Sequence, residues 1–168
     1  MTGPQVNPTL TRDALERLLV EENGALGEFE ALLEKEHGAL RARDIDALEA
    51  LADARQASLV RLLKIEDERR GLCSMHGYDT DLMGLARLIA WCDPGRSLLA
   101  RYDECSARAK RCRDLNDRNG ILVGAQMKRV EGLLGAITGA GREPQAYGPR
   151  GMGNPYAATA GKVLSAEA

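Results

Sequence analysis

The chain has 168 residues, of which 44 % are hydrophobic, 4 % aromatic and 29 % charged, and its formal net charge is -2. This length accommodates one domain with a buried core, and the near-neutral charge does not favour nucleic acid or an anionic membrane as the main partner. A core of Leu and Ala with few aromatic residues favours helices over a sheet, so we predict an all-α protein.

The first half of the chain predicts an antiparallel pair of long helices. A stripe of apolar residues at helical spacing runs over residues 11–43. Asp44 is a suitable N-cap for a second helix over residues 45–70, which Gly71 is expected to end. The short break between the two stripes predicts a tight turn, and hence a hairpin.

A short helix over residues 81–91 and a much longer one are predicted next. Pro94 is expected to begin the long helix, because Pro is tolerated at the first helical position after an acidic cap. From there to Gly139, small and apolar residues recur at alternating intervals of four and three: Leu98, Tyr102, Cys105, Ala109, Cys112, Asn116, Asn119, Val123, Gln126, Val130, Leu133 and Ile137. We call this stripe the seam. A heptad pattern of this length needs partner helices along all of it.

Two asparagines, Asn116 and Asn119, occupy consecutive positions of the seam. They could fix the register of the bundle and discourage an unwanted homo-oligomer, which is an attested use of polar seam residues. Alternatively, this stretch and the neighbouring Gly120 form an underfilled surface that receives a helix of another protein, since glycine lets a second backbone come close. The residues by themselves leave both interpretations open.

The composition changes abruptly after Gly139, where Gly and Pro recur without a helical period. This predicts a flexible tail over residues 140–168, following a helical domain over residues 1–139. The tail carries only a few isolated apolar side chains, among them Tyr147.

The sequence gives little support for catalysis or metal binding. Cys105 and Cys112 lie two turns apart on one predicted helix, about 10 Å by the helical rise, which is too far for a disulfide. Free thiols and the lack of a signal-like N-terminus favour the cytoplasm. With two histidines and no ligand set at metal spacing, we expect no enzyme, no cofactor and no metal site.

Three stretches in order resemble the FlgN family, the cytosolic chaperones of flagellar type III export. They are residues 33–40 (LEKEHGAL), residues 116–122 (NDRNGIL) and residues 147–151 (YGPRG), and the resemblance extends over residues 12–153. It implies a chaperone that binds the helical termini of hook-filament junction proteins, prevents their premature assembly and delivers them to the export apparatus. The alternative from the pattern alone is a structural coiled-coil protein that self-associates through the seam.

The resemblance also implies where the partners bind. The implied client-binding residues lie on the long helix: Asn116, Asn119, Gly120, Leu122, Val123, Val130, Leu133, Leu134 and Ile137. Tyr147 in the tail is implied to dock on the cytosolic domain of the export gate; the alternative is that it folds back on the seam and shields it until a client arrives. We therefore expect junction proteins and the gate as partners, neither nucleic acid nor stable membrane insertion, and a possible homo-oligomer.

Overall fold

The computed structural model describes residues 7–138 as four helices: α1 (Pro8–Ala42), α2 (Ile45–Met75), α3 (Leu82–Cys92) and α4 (Leu99–Thr138). The described residues contain no strand, so the predicted all-α class is confirmed. The predicted boundary between helical domain and tail lies outside the described residues.

The helices α1 and α2 form the predicted antiparallel hairpin. Asp44 caps α2, because its Oδ1 accepts a hydrogen bond of 2.9 Å from the backbone N–H of Ala47. Arg43 makes the turn in the left-handed region with a φ of 56°. Three ion pairs fix the alignment of the two helices: Glu22 with Arg69 at 3.5 Å, Glu28 with Arg61 at 2.7 Å and Glu36 with Arg55 at 2.9 Å. The residue numbers increase on α1 as they decrease on α2, which is the order that an antiparallel pair requires.

Side chains of α4 donate hydrogen bonds to backbone carbonyl oxygens of α1 at every seventh residue. The donors and acceptors are Cys105 Sγ to Leu19 at 3.2 Å, Cys112 Sγ to Leu26 at 3.5 Å, Asn119 Nδ2 to Leu33 at 3.0 Å and Gln126 Nε2 to Leu40 at 2.6 Å. Each donor follows its acceptor by 86 positions, so the two helices run parallel in one constant register. We call this set of contacts the heptad ladder.

The core consists of two clusters along α1. The cluster at the N-terminal end of α1 is closed by α3 and comprises Leu15, Leu19, Cys73, Leu85, Leu88, Cys92, Leu98 and Cys105. The central cluster comprises Ala25, Leu26, Phe29, Leu33, Leu59, Leu62, Ile65 and Cys112. Fully burying one such Leu or Phe contributes about 1.5–3 kcal/mol to stability, so these clusters hold both α2 and α4 against α1.

The helix α2 is longer than predicted. Gly71 does not end it, because glycine weakens a helix by only about 1 kcal/mol and packing on both sides sustains it. The helix ends at Met75, and the chain turns away at Gly77, whose φ of 73° is readily adopted by glycine. Tyr78 donates its N–H to the carbonyl of Cys73 at 3.0 Å in this turn.

The prediction that α4 begins at Pro94 is also wrong. The Asp93 carboxylate does not cap a helix there; it accepts hydrogen bonds from the Leu98 N–H at 2.8 Å and the Ser97 hydroxyl at 2.7 Å. Burial opposes ionisation of Asp93, but these two bonds prevail and lower its pKa. Arg96 has a φ of 57°, so the chain makes a turn and α4 begins only at Leu99.

Candidate functional site

The helix α4 extends beyond the end of its partner. The last contact of the heptad ladder joins Gln126 to Leu40, and in the same register Lys128 is level with Ala42, the last residue of α1. Residues 127–138 of α4 follow the last ladder contact, and we call them the overhang; residues 129–138 lie beyond the end of α1. Its length is about 18 Å at the usual helical rise. The seam was predicted to need partners along its whole length, but within residues 7–138 α1 provides one only up to the overhang.

The overhang exposes five large apolar side chains. Their exposed fractions are 59 % for Met127, 52 % for Val130, 57 % for Leu133, 55 % for Leu134 and 79 % for Ile137. Intervals of three and four place them on one side of the helix, in continuation of the seam. A contiguous apolar surface of this kind is typical of a protein-binding site.

A buried polar network lies immediately before the overhang and joins three helices. Arg55 of α2 donates to both carboxylate oxygens of Glu36 on α1, at 3.2 and 2.9 Å, and to Asn116 Oδ1 on α4 at 2.7 Å. Asn119 Nδ2 donates to Glu36 at 2.8 Å, and Asn119 Oδ1 is 2.9 Å from His37 Nδ1. Arg55 also lies over the Phe29 ring, 5.8 Å from its centroid.

This network accounts for both asparagines of the seam. Asn119 is 3 % exposed, and the polar atoms of its amide all bond within the chain. Its Nδ2 donates to Glu36 and Leu33, so its Oδ1 faces His37, which is the donor of that bond. The geometry favours the first of the two interpretations, in which the asparagines fix the register.

The predicted client-binding residues therefore fall into two groups. Val130, Leu133, Leu134 and Ile137 share the exposed face of the overhang. The others lie upstream, where Asn119 is buried, Asn116, Leu122 and Val123 are half-buried, and Gly120 is exposed with no atom within 4 Å of the position that a Cβ would take. No other backbone segment of the described chain therefore comes close to Gly120, and client contact at these positions stays a prediction.

Sequence reasoning missed Met127 and could not place Tyr147. Met127 precedes Val130 by three residues and Leu134 by seven, so the helical period was a sufficient signal for it. Tyr147, the predicted gate-docking residue, lies outside the described residues.

The thiols of the described chain are buried and unpaired, and they are poor nucleophiles. Burial raises the pKa of both Cys105 and Cys112 to about 11, with smaller contributions from the nearby carboxylates of Glu22 and Glu30 respectively. Residues 7–138 hold no group of three or more side chains that could bind a metal ion. None of their helices is long and apolar enough to cross a membrane.

The fold and this surface define an elongated helical protein whose longest helix is paired over only part of its length. The chain belongs to the FlgN family, since the family model described as FlgN protein matches residues 6–155. A crystal structure of a flagella synthesis protein FlgN from Pseudomonas aeruginosa is similar, with 31 % sequence identity and a TM-score of 0.59 over 66 % of this chain and 86 % of that chain. No curated protein matches the chain. The resemblance drawn from the sequence is confirmed.

Proposed function

We propose that this chain is a cytosolic chaperone of flagellar type III export. It holds a helical terminus of a hook-filament junction protein on the overhang, prevents premature assembly and delivers the client to the export apparatus. Family membership and the name of the similar solved protein support a role in flagellum synthesis. The observation that carries the docking site is the exposed apolar face from Met127 to Ile137.

An amphipathic client helix fits this face in shape and chemistry. Anchors three and four residues apart on one helix pack into the spaces between anchors on the other. Complete burial of such a side chain contributes about 1.5–3 kcal/mol, and these are roughly half exposed, so each adds about 1 kcal/mol on binding. The overhang's side of the contact contributes about 5 kcal/mol in sum, and association costs about 4 kcal/mol or more, so the net binding is expected to be weak. Weak binding suits a client that must be released at the export gate.

The test is calorimetric titration of the protein with a peptide that contains a terminal helix of a junction protein. Replacing Val130 and Leu133 together by Asp puts two charges on the apolar face and should abolish binding. The matched control replaces Gly132 and Gly135 by Asp, because both lie on the opposite side of the overhang and have open space at the Cβ position.

The control should bind the peptide as the unaltered protein does. If the Val130 and Leu133 double variant keeps its helical signal and its affinity, the client binds elsewhere. Light scattering of the free protein addresses the alternative, a structural coiled coil. A stable oligomer that the same two Asp substitutions dissociate, and that does not bind the peptide, favours self-association.

Tyr147 is proposed to dock on the cytosolic domain of the export gate. An aromatic ring buries a large area while few rotamers are lost, which suits a short transient contact. Replacing Tyr147 by Ala should weaken binding to the gate domain in a pull-down and leave the calorimetric affinity for the client peptide unchanged. Unchanged binding to the gate would remove Tyr147 from this role.

A further inference from the structure

The first helix begins with a dipeptide that recurs near the end of the chain. Asn7 is the N-cap of α1, since its Oδ1 accepts a hydrogen bond of 3.0 Å from the Thr9 N–H, and Pro8 is the first helical residue. The sequence contains Asn-Pro at one other place, Asn154-Pro155. An Asn cap followed by Pro at the first helical position is a strong signal for the start of a helix.

The residues that follow Asn154 have the pattern of a short amphipathic helix. Four apolar residues lie at positions i, i+4, i+7 and i+8, which is one side of a helix: Tyr156, Ala160, Val163 and Leu164. Ala158 and Lys162 fall on the other side. Gly161 weakens such a helix by about 1 kcal/mol, and ten residues are too few for a helix to persist alone in water. The segment therefore needs an apolar surface to fold against.

We propose that residues 155–164 form a helix that covers the apolar face of the overhang when no other partner is bound. The two elements match in length, because ten helical residues span about 15 Å and the overhang about 18 Å. Residues 139–154 connect them, and sixteen extended residues reach up to about 50 Å. Since the segment belongs to the same chain, its local concentration at the overhang is high even when its own affinity is low.

This cover would regulate the proposed docking site. A client helix must displace the segment, so its apparent affinity falls by the fraction of molecules in which the face is covered. The regulatory role rests on the proposed function, whereas the contact between the segment and the overhang does not.

Amide hydrogen exchange of the full chain without client tests the contact. An unpartnered helix end opens easily, and a covering helix should slow its exchange. We expect residues 127–138 to exchange several-fold more slowly in the unaltered chain than in the variant with both Tyr156 and Val163 replaced by Ser. The matched control, Ala158→Ser on the opposite side of the segment, should exchange as the unaltered chain does. The amide exchange rates of residues 45–60 in α2 should be equal in the unaltered chain and both variants.

Two results would overturn the proposal. Equal exchange of residues 127–138 in all three chains would show that the segment does not cover the overhang. Protection that increases with protein concentration would assign the face to a second copy of the chain. Neither measurement involves a client, so a failure of client binding in calorimetry, with the protection still present, would count against the chaperone proposal alone.

Discussion

The two parts of α4 carry the same heptad pattern and differ in what lies opposite it. From Leu99 to Gln126 the seam faces α1, and the heptad ladder holds the two helices in a single register. In the overhang the pattern continues with larger apolar residues, yet α1 has ended at Ala42. The heptad period of a sequence therefore identifies the face of a helix that packs against a partner, but it does not indicate whether that partner belongs to the same chain.

The chemistry of the seam changes at the same place. In the paired part the seam holds Cys, Asn and Gln, whose donors reach carbonyl oxygens of α1. Small or polar seam residues allow close approach and fix one alignment, whereas Val, Leu and Ile offer area without specifying a register. The paired part is suited to one permanent partner, and the overhang is suited to a partner that binds reversibly.

The largest effect is expected where the paired part buries charge. Replacing Arg55 by Met leaves the Glu36 carboxylate buried without its ion-pair partner, and should lower the free energy of unfolding by about 3–5 kcal/mol. The matched control is Lys128→Met, which removes one positive charge from an exposed position within the overhang and should change stability by less than about 0.5 kcal/mol. Urea unfolding of both variants measures the difference. Similar values for the two would mean that the network does not stabilise the bundle.

The paired part should also make stability depend on alkaline pH. Burial raises the pKa of Cys112 from its ordinary value of 9.0 to about 11, so between these values the unfolded chain loses a proton that the folded chain retains. Stability contributed by this thiol is complete below pH 9 and is lost as the pH rises towards 11. We expect Cys112→Ala to lose less stability than the unaltered chain between pH 7 and pH 10.

The control for this measurement is Leu115→Ala, which removes a half-buried side chain of the same helix that does not titrate. It should lower stability by a similar amount at both pH values. Urea midpoints at pH 7 and pH 10 provide the comparison. Parallel pH dependence in all three proteins would contradict a buried, protonated Cys112.

The comparison also shows how much could be predicted. The hairpin, its Asp44 cap and the face of α4 followed from local chemistry and period, because each is encoded within one or two turns of helix. The partners of Asn119 could not be predicted, since they come from residues more than eighty positions away whose alignment exists only in the fold. The end of α2 was misjudged because packing keeps the chain helical through Gly71. The start of α4 was misjudged because the Asp93 carboxylate binds the Leu98 N–H in a turn and does not cap a helix at Pro94.

The central claim, that one seam is paired upstream and open in the overhang, is tested most directly by two identical substitutions. Leu98, the seam residue immediately before α4, is 1 % exposed within the core cluster that packs on α1, and Leu133 in the overhang is 57 % exposed. In a chain that ends at Gly141, which removes residues 155–164, Leu98→Ala should lower the free energy of unfolding by about 2–5 kcal/mol. Leu133→Ala should change it by less than about 0.5 kcal/mol. Equal losses at the two positions, measured by urea unfolding, would contradict the account.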